Sequence, residues 1–516
     1  MTRPRTVSQI ALPRRIAQCI ALVVVIGTLI VLGCGGNKGN SNASATASDL
    51  NDRSFTFANG AGPNLAAVLE LPQGQAFTLD FGNFGGTNVG PVTLDSGGSV
   101  ASGTVTVSPC SFFFSRSTFP AGSGPQSGTP FVIDPCIFNS NNNTLQLTAQ
   151  PSGESLVSSP AVPLSSTNVA LVLTTNFLTG SYSVVDLTSR QVFKDLKLGG
   201  VSSDAIARFF VNPTGFPHGR VYVVNRLGVD SIQVLDPQLG FITPTNGVIS
   251  MSSGTNPQDI AFVSTNKAYV SRLASARLVI LNPTTLVPLG VVDLSSLVTP
   301  NDGDGSPEPA YMLVHNGLVY VALQHIDFTQ PQLPKVANGE VVVIDPTTDS
   351  ILTVIELHGK NPFSEFQFSP TLNRILISSV GDFGIIDGGI EAINPAINTA
   401  DSQFAVTEAA MGGDITAFVL VSSTKGFAIV SDANFANALI TFDPSSGRRL
   451  NTLVEPLNVP MPQLAINSNN EVYLAITDTT TTATGLRIFD ANTDIEITSS
   501  PLNVGQFPPV FTVFIE

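Results

Sequence analysis

One short pattern recurs seven times in the last two thirds of the chain: an alternating hydrophobic run that ends in Asp or Asn, usually followed by Pro and a hydroxyl residue. The copies are Val184-Val185-Asp186-Leu187, Val234-Leu235-Asp236-Pro237, Ile280-Leu281-Asn282-Pro283, Val343-Ile344-Asp345-Pro346, Ala392-Ile393-Asn394-Pro395, Thr441-Phe442-Asp443-Pro444 and Ile488-Phe489-Asp490-Ala491. Successive anchors lie 50, 46, 63, 49, 49 and 47 residues apart. A period of that size, with several strands per unit, falls in the propeller range. The anchor also has a local mechanism. An Asx side chain accepts a backbone N–H two residues on, and Pro presets φ for the first central position of a turn, so each copy marks a hairpin between two strands.

The rest of each unit fits four strands around that hairpin. Around Asn282, residues 259–263, 268–271, 278–281 and 287–293 read as strands. Related pieces recur as Phe366-Gln367-Phe368-Ser369-Pro370 before residues 374–378, and as residues 464–467 before 471–476. A four-stranded unit leaves two apolar faces that only neighbouring units cover, and a closed ring covers them all. Residues 505–516, with Pro508-Pro509 ahead of Val510-Phe511-Thr512-Val513-Phe514-Ile515, look like the proline and first strand of a unit with nothing after it. They are expected to pair with residues 169–173 and close the ring. The expectation is an all-β chain whose residues 160–516 form a seven-bladed β-propeller closed by the C-terminal strand. Eight blades is the alternative, because residues 161–165 could be a first strand and Phe131-Val132-Ile133-Asp134-Pro135 imitates an anchor 52 residues before Asp186.

Composition fits many strands joined by tight turns: 44 Gly and 36 Pro punctuate the apolar runs, and only 12% of residues are charged. Residues 53–155 lack the repeat, and their Phe- and Val-rich runs broken by Gly, Ser and Asn read as a separate small β-sandwich, a spacer or docking module. The repeat units resemble the YVTN family of β-propeller repeats, through Pro257, Tyr269-Val270, Tyr222-Val223-Val224-Asn225, Tyr320-Val321-Ala322 and Ile344-Asp345-Pro346. That resemblance covers about residues 160–516 and implies architecture, not chemistry.

Residues 1–15 carry four arginines and no acid, and residues 16–32 are almost wholly apolar, ending at Gly33-Cys34-Gly35-Gly36. That is the layout of a secretory leader. The run Ile30-Val31-Leu32-Gly33-Cys34 resembles the bacterial lipobox, which implies removal of residues 1–33 and lipid on Cys34. A lipid-anchored cell-envelope protein follows, in the outer membrane by preference because Gly35 rather than Asp comes after the cysteine. Residues 34–52 then read as a flexible tether. The alternative is an uncleaved membrane helix, since 17 apolar residues sit at the lower limit for spanning. Of the four cysteines, Cys19 leaves with the leader and Cys34 takes lipid, so Cys110 and Cys136 remain as one pair in an oxidising compartment. A disulfide is the economical reading, with two buried free thiols or half of a metal site beside it. No histidine precedes His218 to complete a zinc site.

Four fewer positive charges take the formal −15 to about −19 on the mature chain. Such a surface repels phosphate backbones, and no Lys/Arg stripe reverses the argument, so no nucleic acid is expected as a partner. Propeller ligands usually meet the loops at one end of the channel, which directs attention to the ends of the second strands. Asn225, Arg226, Arg272 and His325 fall there on three consecutive units, and Asp432 and Asp478 on the last two. This describes a rim basic on one side and acidic on the other, although hairpin tips are polar anyway. The long 282–345 interval holds Asp302, Asp304, Ser306 and Glu308 alternating with turn residues, a spacing able to wrap a hard cation such as calcium and equally that of an acidic loop. No other cofactor is expected.

Catalytic signals are scarce. Only His325-Ile326-Asp327 puts an imidazole beside a carboxylate, and the sequence has no P-loop, no Gly-x-Ser-x-Gly and no Cys-x-x-Cys-His. The absence of tryptophan removes the signatures of WD40, kelch and pyrroloquinoline-quinone propellers. The sequence therefore favours a non-catalytic surface that binds or scaffolds a protein or glycan. A propeller lactonase using His325, Asp327 and the rim arginines is one alternative, and an accessory subunit of an envelope redox or transport complex is another.

Overall fold

The computed structural model describes residues 167–516, except 177–178, 197–200, 203, 213–215, 238–240, 242, 245, 478–483 and the side chains of 212 and 216–218. Before residue 167 it describes only the backbone of ten short strands between Leu65 and Val157. Among these, Pro130–Ile133 pairs with Leu65–Val68, so the anchor-like run at Asp134 follows a strand of a two-stranded sheet and not a further blade. The leader, Cys34, the side chains of Cys110 and Cys136, the tether and residues 161–165 lie outside the described residues. Among the described residues no helix is long and apolar enough to cross a membrane.

Seven antiparallel sheets follow one another from residue 169. Blade 2 runs Ala205–Asn212, Phe216–Asn225, Ser231–Leu235, Val248–Ser250, each strand hydrogen-bonded to the next. Blade 3 runs Pro257–Ser264, Lys267–Arg272, Arg277–Asn282, Val287–Asp293; blade 4 runs Pro309–His315, Leu318–Leu323, Glu340–Asp345, Ser350–Glu356. Blade 5 is Gln367–Ser369, Arg374–Ser379, Gly389–Asn394 and an interrupted outer edge, Thr399–Ala400 and Val406–Thr407. Blade 6 is Asp414–Ser422, Lys425–Ser431, Asn437–Asp443, Arg448–Leu457, and blade 7 is Leu464–Ile466, Glu471–Ile476, Gly485–Asp490. Blade 1 takes its outer strands Val169–Thr175, Gly180–Asp186 and Val192–Phe193 from the start of the ring and its inner strand, Pro509–Ile515, from the end of the chain. Val169 lies opposite Ile515 and Leu171 opposite Val513. The protein is thus a seven-bladed β-propeller closed as expected.

What holds the ring is burial between blades. Second and third strands are apolar on both faces, so each residue set packs against one neighbour or the other. Tyr269, Leu278 and Ile280 meet Val319, Val321 and Val342 between blades 3 and 4. Leu376 and Ile390 meet Ile415, Ala428 and Ile440 between blades 5 and 6. Ala170, Val172 and Val185 meet Tyr473, Leu486 and Ile488 across the closing seam. A buried aliphatic side chain of this kind contributes about 1.5–3 kcal/mol, which no blade could gain alone.

The anchor hairpins behave as their chemistry dictates. The backbone N–H two residues on donates to the side-chain oxygen of Asp186 (3.0 Å), Asn282 (2.9 Å), Asp345 (2.8 Å), Asn394 (3.0 Å), Asp443 (2.9 Å) and Asp490 (2.7 Å). At three of the aspartates, hydrogen bonds of the hairpin stabilise the charged form. The Thr347 hydroxyl holds Asp345 below the usual carboxylate range, the Ser445 hydroxyl does so for Asp443, and the Asn492 N–H for Asp490. The fourth residue after the anchor is left-handed at Arg190, Leu286, Asp349, Asn398, Gly447 and Asp494. Tyrosines on one blade then reach these hairpins on the next: the Tyr222 hydroxyl donates to the Pro283 carbonyl (2.9 Å), Tyr269 to Asp349 and Tyr320 to Asn398 (2.7 Å).

Candidate functional site

Strand order sets the two faces of the ring. Inner strands begin, and second strands end, on one face, while the anchor hairpins lie on the other. On the first face the inner strands carry bulges, which leave Gln258 between Pro257 and Asp259, Ala310 and Tyr311 between Pro309 and Met312, and Thr416 between Ile415 and Ala417 outside the ladder. Val510 is passed over in the same way where Pro509–Ile515 meets Val169–Thr175. A bulge re-aims its side chain, and all five of these residues line one cavity in the channel, which offers about 200 Å³ to water-sized molecules.

Most of the cavity wall is apolar. Ile206, Phe363, Phe383, Phe418, Phe435 and Met461 contribute to it. Phe363 and Phe383 meet edge to face with ring centres 5.3 Å apart. Ile385 and Ile386, two and three residues after Phe383 on the loop between the second and third strands of blade 5, are 56% and 52% exposed.

The charges near the cavity are already committed. Arg208 on blade 2 donates from Nε and Nη2 to the two oxygens of Asp259 on blade 3 (2.8 and 3.1 Å) and from Nη1 to Glu365, which precedes the inner strand of blade 5. Its guanidinium also lies 5.9 Å from the Tyr311 ring of blade 4 and 5.7 Å from the Phe511 ring of blade 1. One side chain therefore ties five blades together behind the cavity. Burial opposes its charge, and Asp259 and Glu365 outweigh that, so Arg208 stays protonated. Arg226 donates to Asp204 (2.5 Å) and to the Gln258 side chain (3.1 Å). The cavity amides are tied to the backbone: Gln324 donates to the Pro362 carbonyl (3.2 Å), Asn437 to that of Val459 (2.9 Å), and Gln463 brackets the Thr512 backbone (2.6 and 3.2 Å).

The structure divides the residues singled out from the sequence. Arg226 lines the cavity, as do Gln324, Ser431 and Thr477, the neighbours of His325, Asp432 and Asp478. Asn225 is buried and accepts from the Ser202 N–H (2.8 Å), while Arg272 is consumed by the Arg277 carbonyl (3.0 and 3.2 Å) and that of Met251 (3.2 Å). Asp432 caps its own turn through the N–H groups of Asn434 (2.8 Å) and Ala436 (2.9 Å), and Asp478 lies outside the described residues. His325 is fully buried and faces Glu340 at 3.1 Å, not Asp327. Asp327 accepts instead from the Thr329 N–H (2.9 Å) and the Gln330 amide (2.6 Å). Of the expected rim residues that are described, Arg226 lines the cavity, whereas His325 and Asp327 bond to different partners. The left-handed backbone at His325 turns the chain between them.

A second grouping lies on the same face of the ring. Asp302, Asp304 and Asp327 each bring a carboxylate oxygen within 4.8 Å of the others. Ser306 faces away, its hydroxyl donating to the Leu273 carbonyl (2.6 Å) and its N–H to Asp304 (2.9 Å). Glu308 is wholly buried, and one of its oxygens accepts from the Ile326 N–H (2.7 Å). Burial, with Asp304 and Asp302 close by, pushes Glu308 up to about 10; burial pushes Asp302 up to about 6. The sequence pattern gave Asp302, Asp304 and Glu308 and missed Asp327, which joins only because the blade 4 loop folds back to them.

The class of protein that this fold and cavity define is a seven-bladed propeller with an apolar, charge-neutralised channel mouth. Among solved structures, the chain is similar to the Kuenenia stuttgartiensis hydrazine synthase, at 12% identity and a TM-score of 0.41, over 55% of this chain and 76% of that one. It is also similar to a chain of the mitotic checkpoint complex, at 12% identity and a TM-score of 0.41, over 60% of this chain and 82% of that one. No family model and no curated protein matches the sequence.

Proposed function

We propose that this is a lipid-anchored cell-envelope protein, cut before Cys34 and held to the outer membrane through it, whose propeller is a non-catalytic surface that takes an apolar segment of a partner protein at the channel mouth. One observation carries the reading: a largely apolar cavity whose acids Asp204 and Glu365 are neutralised by arginines and whose amides are tied to the backbone. A ligand entering it gains by burying apolar surface, because satisfied ion pairs offer nothing further. A glycan would need several free donors and acceptors for its hydroxyls, whereas Gln463 has spent both ends of its amide on backbone and Gln324 and Asn437 each give an N–H to it. Hydrolysis of a lactone would need His325, a carboxylate and an arginine converging on the mouth, and His325 is buried against Glu340.

The test is retention of a partner from detergent-solubilised envelopes on the full chain and on a Phe363→Ser/Phe383→Ser variant. A single stoichiometric protein is expected on the wild type and not on the variant, with both melting alike. Equal retention on the two would overturn the reading.

A further inference from the structure

We propose that Asp302, Asp304 and Asp327, backed by Glu308, bind one calcium ion that ties the connection between blades 3 and 4 to the rim of blade 4. Asp302 and Asp304 belong to the connection between Val287–Asp293 and Pro309–His315, and Asp327 to the loop after Leu318–Leu323. Both lie on the face of the channel mouth. Calcium takes oxygen ligands at about 2.4 Å, so two ligand atoms on one ion can be at most about 4.8 Å apart. The three aspartate oxygens meet that limit.

Glu308 supplies the independent observation. Its side chain is 0% exposed, and Oε1 has no hydrogen-bond donor. The charged groups that face this carboxyl are Asp304 and Asp302. Asp302 Oδ2 is likewise buried without a donor. A carboxyl oxygen buried with no donor costs free energy, and a bound divalent cation removes that cost.

The loop is built for close approach. A side chain at Gly303 would bring its first carbon 2.6 Å from the Thr329 hydroxyl and 3.1 Å from Asp327 Oδ1. Gly305 sits at φ +77°, where glycine is favoured. Asp304 is further oriented by the N–H groups of Ser306 (2.9 Å) and Phe328 (2.8 Å), which hold its two oxygens in place. The ion is calcium and not magnesium because the donors come from irregular loops, which suit calcium's flexible coordination and not the rigid octahedron magnesium demands.

The experiment uses the full chain in detergent, stripped with chelator and titrated with calcium chloride by calorimetry, with melting followed in parallel. Binding of one calcium per chain and a rise in melting temperature are expected. The Asp302→Asn/Asp304→Asn variant should lose both responses, and in chelator it should melt at or above the wild type because like charges have been removed. That second readout separates loss of the site from loss of the fold. No heat and no shift at millimolar calcium in the wild type would overturn the proposal, as would an unchanged response of the variant. An equal response to magnesium would overturn the choice of ion.

Discussion

Tyr473 on blade 7 accepts a hydrogen bond from the Arg190 guanidinium on blade 1, so a side chain fastens the last blade to the first beside the closing strand. Arg190 is the left-handed residue of the blade 1 anchor hairpin and also pairs with Glu471. The same tyrosine-to-hairpin contact recurs inside the ring at Tyr269 and Tyr320, so the seam is built as an ordinary blade interface.

Two changes at that seam should differ sharply in size. Tyr473→Phe removes two hydrogen bonds to charged groups, the one from Arg190 and a longer one to Glu471 (3.3 Å), and should cost about 1.5–3 kcal/mol of unfolding free energy, measured by denaturant titration. Deleting residues 508–516 removes the whole inner strand from Val169–Thr175, whose residues are all buried, and should abolish the cooperative thermal transition. Near-wild-type melting of the truncated chain would mean that the ring does not depend on its C-terminal strand.

Arg208→Ala leaves Asp259, 1% exposed, with its charge uncompensated by any guanidinium. A fully buried broken pair costs about 3–5 kcal/mol, and since a quarter of the Arg208 and Glu365 side chains meets solvent, about 2–3 kcal/mol is expected here. Neutralising both acids in the same chain, with Asp259→Asn and Glu365→Gln, should recover part of the loss. Denaturant midpoints of the single and triple variants measure this.

Stability should fall as pH rises from acid toward neutral and beyond. Glu408 and Asp414 are fully buried, each with one oxygen lacking a donor. Burial, then Asp414 and Asp387, hold Glu408 up at about 8 against the N–H groups of Gly388 and Asp387, and burial, then Asp387, holds Asp414 at about 7. Both values lie above the roughly 4 of an unfolded chain, so the folded state binds the protons more tightly. Their contribution is full below about pH 4 and is lost as pH climbs through the folded values. Glu308 acts with the same sign when no cation is present. Melting temperatures in chelator should therefore decline between about pH 5 and pH 9, and Glu408→Gln should flatten the slope.

The ring was legible because its signals are local. Each anchor needs only an Asx side chain and the N–H two residues on, and the unpaired Pro508-Pro509 strand announces a missing partner. The left-handed residue after each anchor was legible only in part: Asp349, Asn398, Gly447 and Asp494 are types that favour positive φ, whereas Arg190 and Leu286 are not and are set by the α-turn, in which their N–H groups reach the carbonyls of Asp186 and Asn282. The cavity was hidden for a related reason. Bulges at Gln258, Tyr311 and Thr416 follow from pairing with second strands and leave no mark in the sequence. Arg208 draws its partners from 51 and 157 residues away, beyond any pattern within one unit. Choosing the ends of second strands points to the face that holds the cavity, but one residue of register separates Gln324 in the wall from His325 turned away.

Photo-crosslinking puts the binding surface to the most direct test. Benzoylphenylalanine is placed singly at Phe383 and Phe435 in the channel mouth, and at Ile397, 66% exposed on an anchor hairpin of the opposite face, and intact cells of the native host are irradiated. A single adduct of the same added mass from both mouth positions, with none from Ile397, is the expected result. No adduct from either mouth position, or the same adduct from Ile397, would contradict recognition at the mouth of the channel.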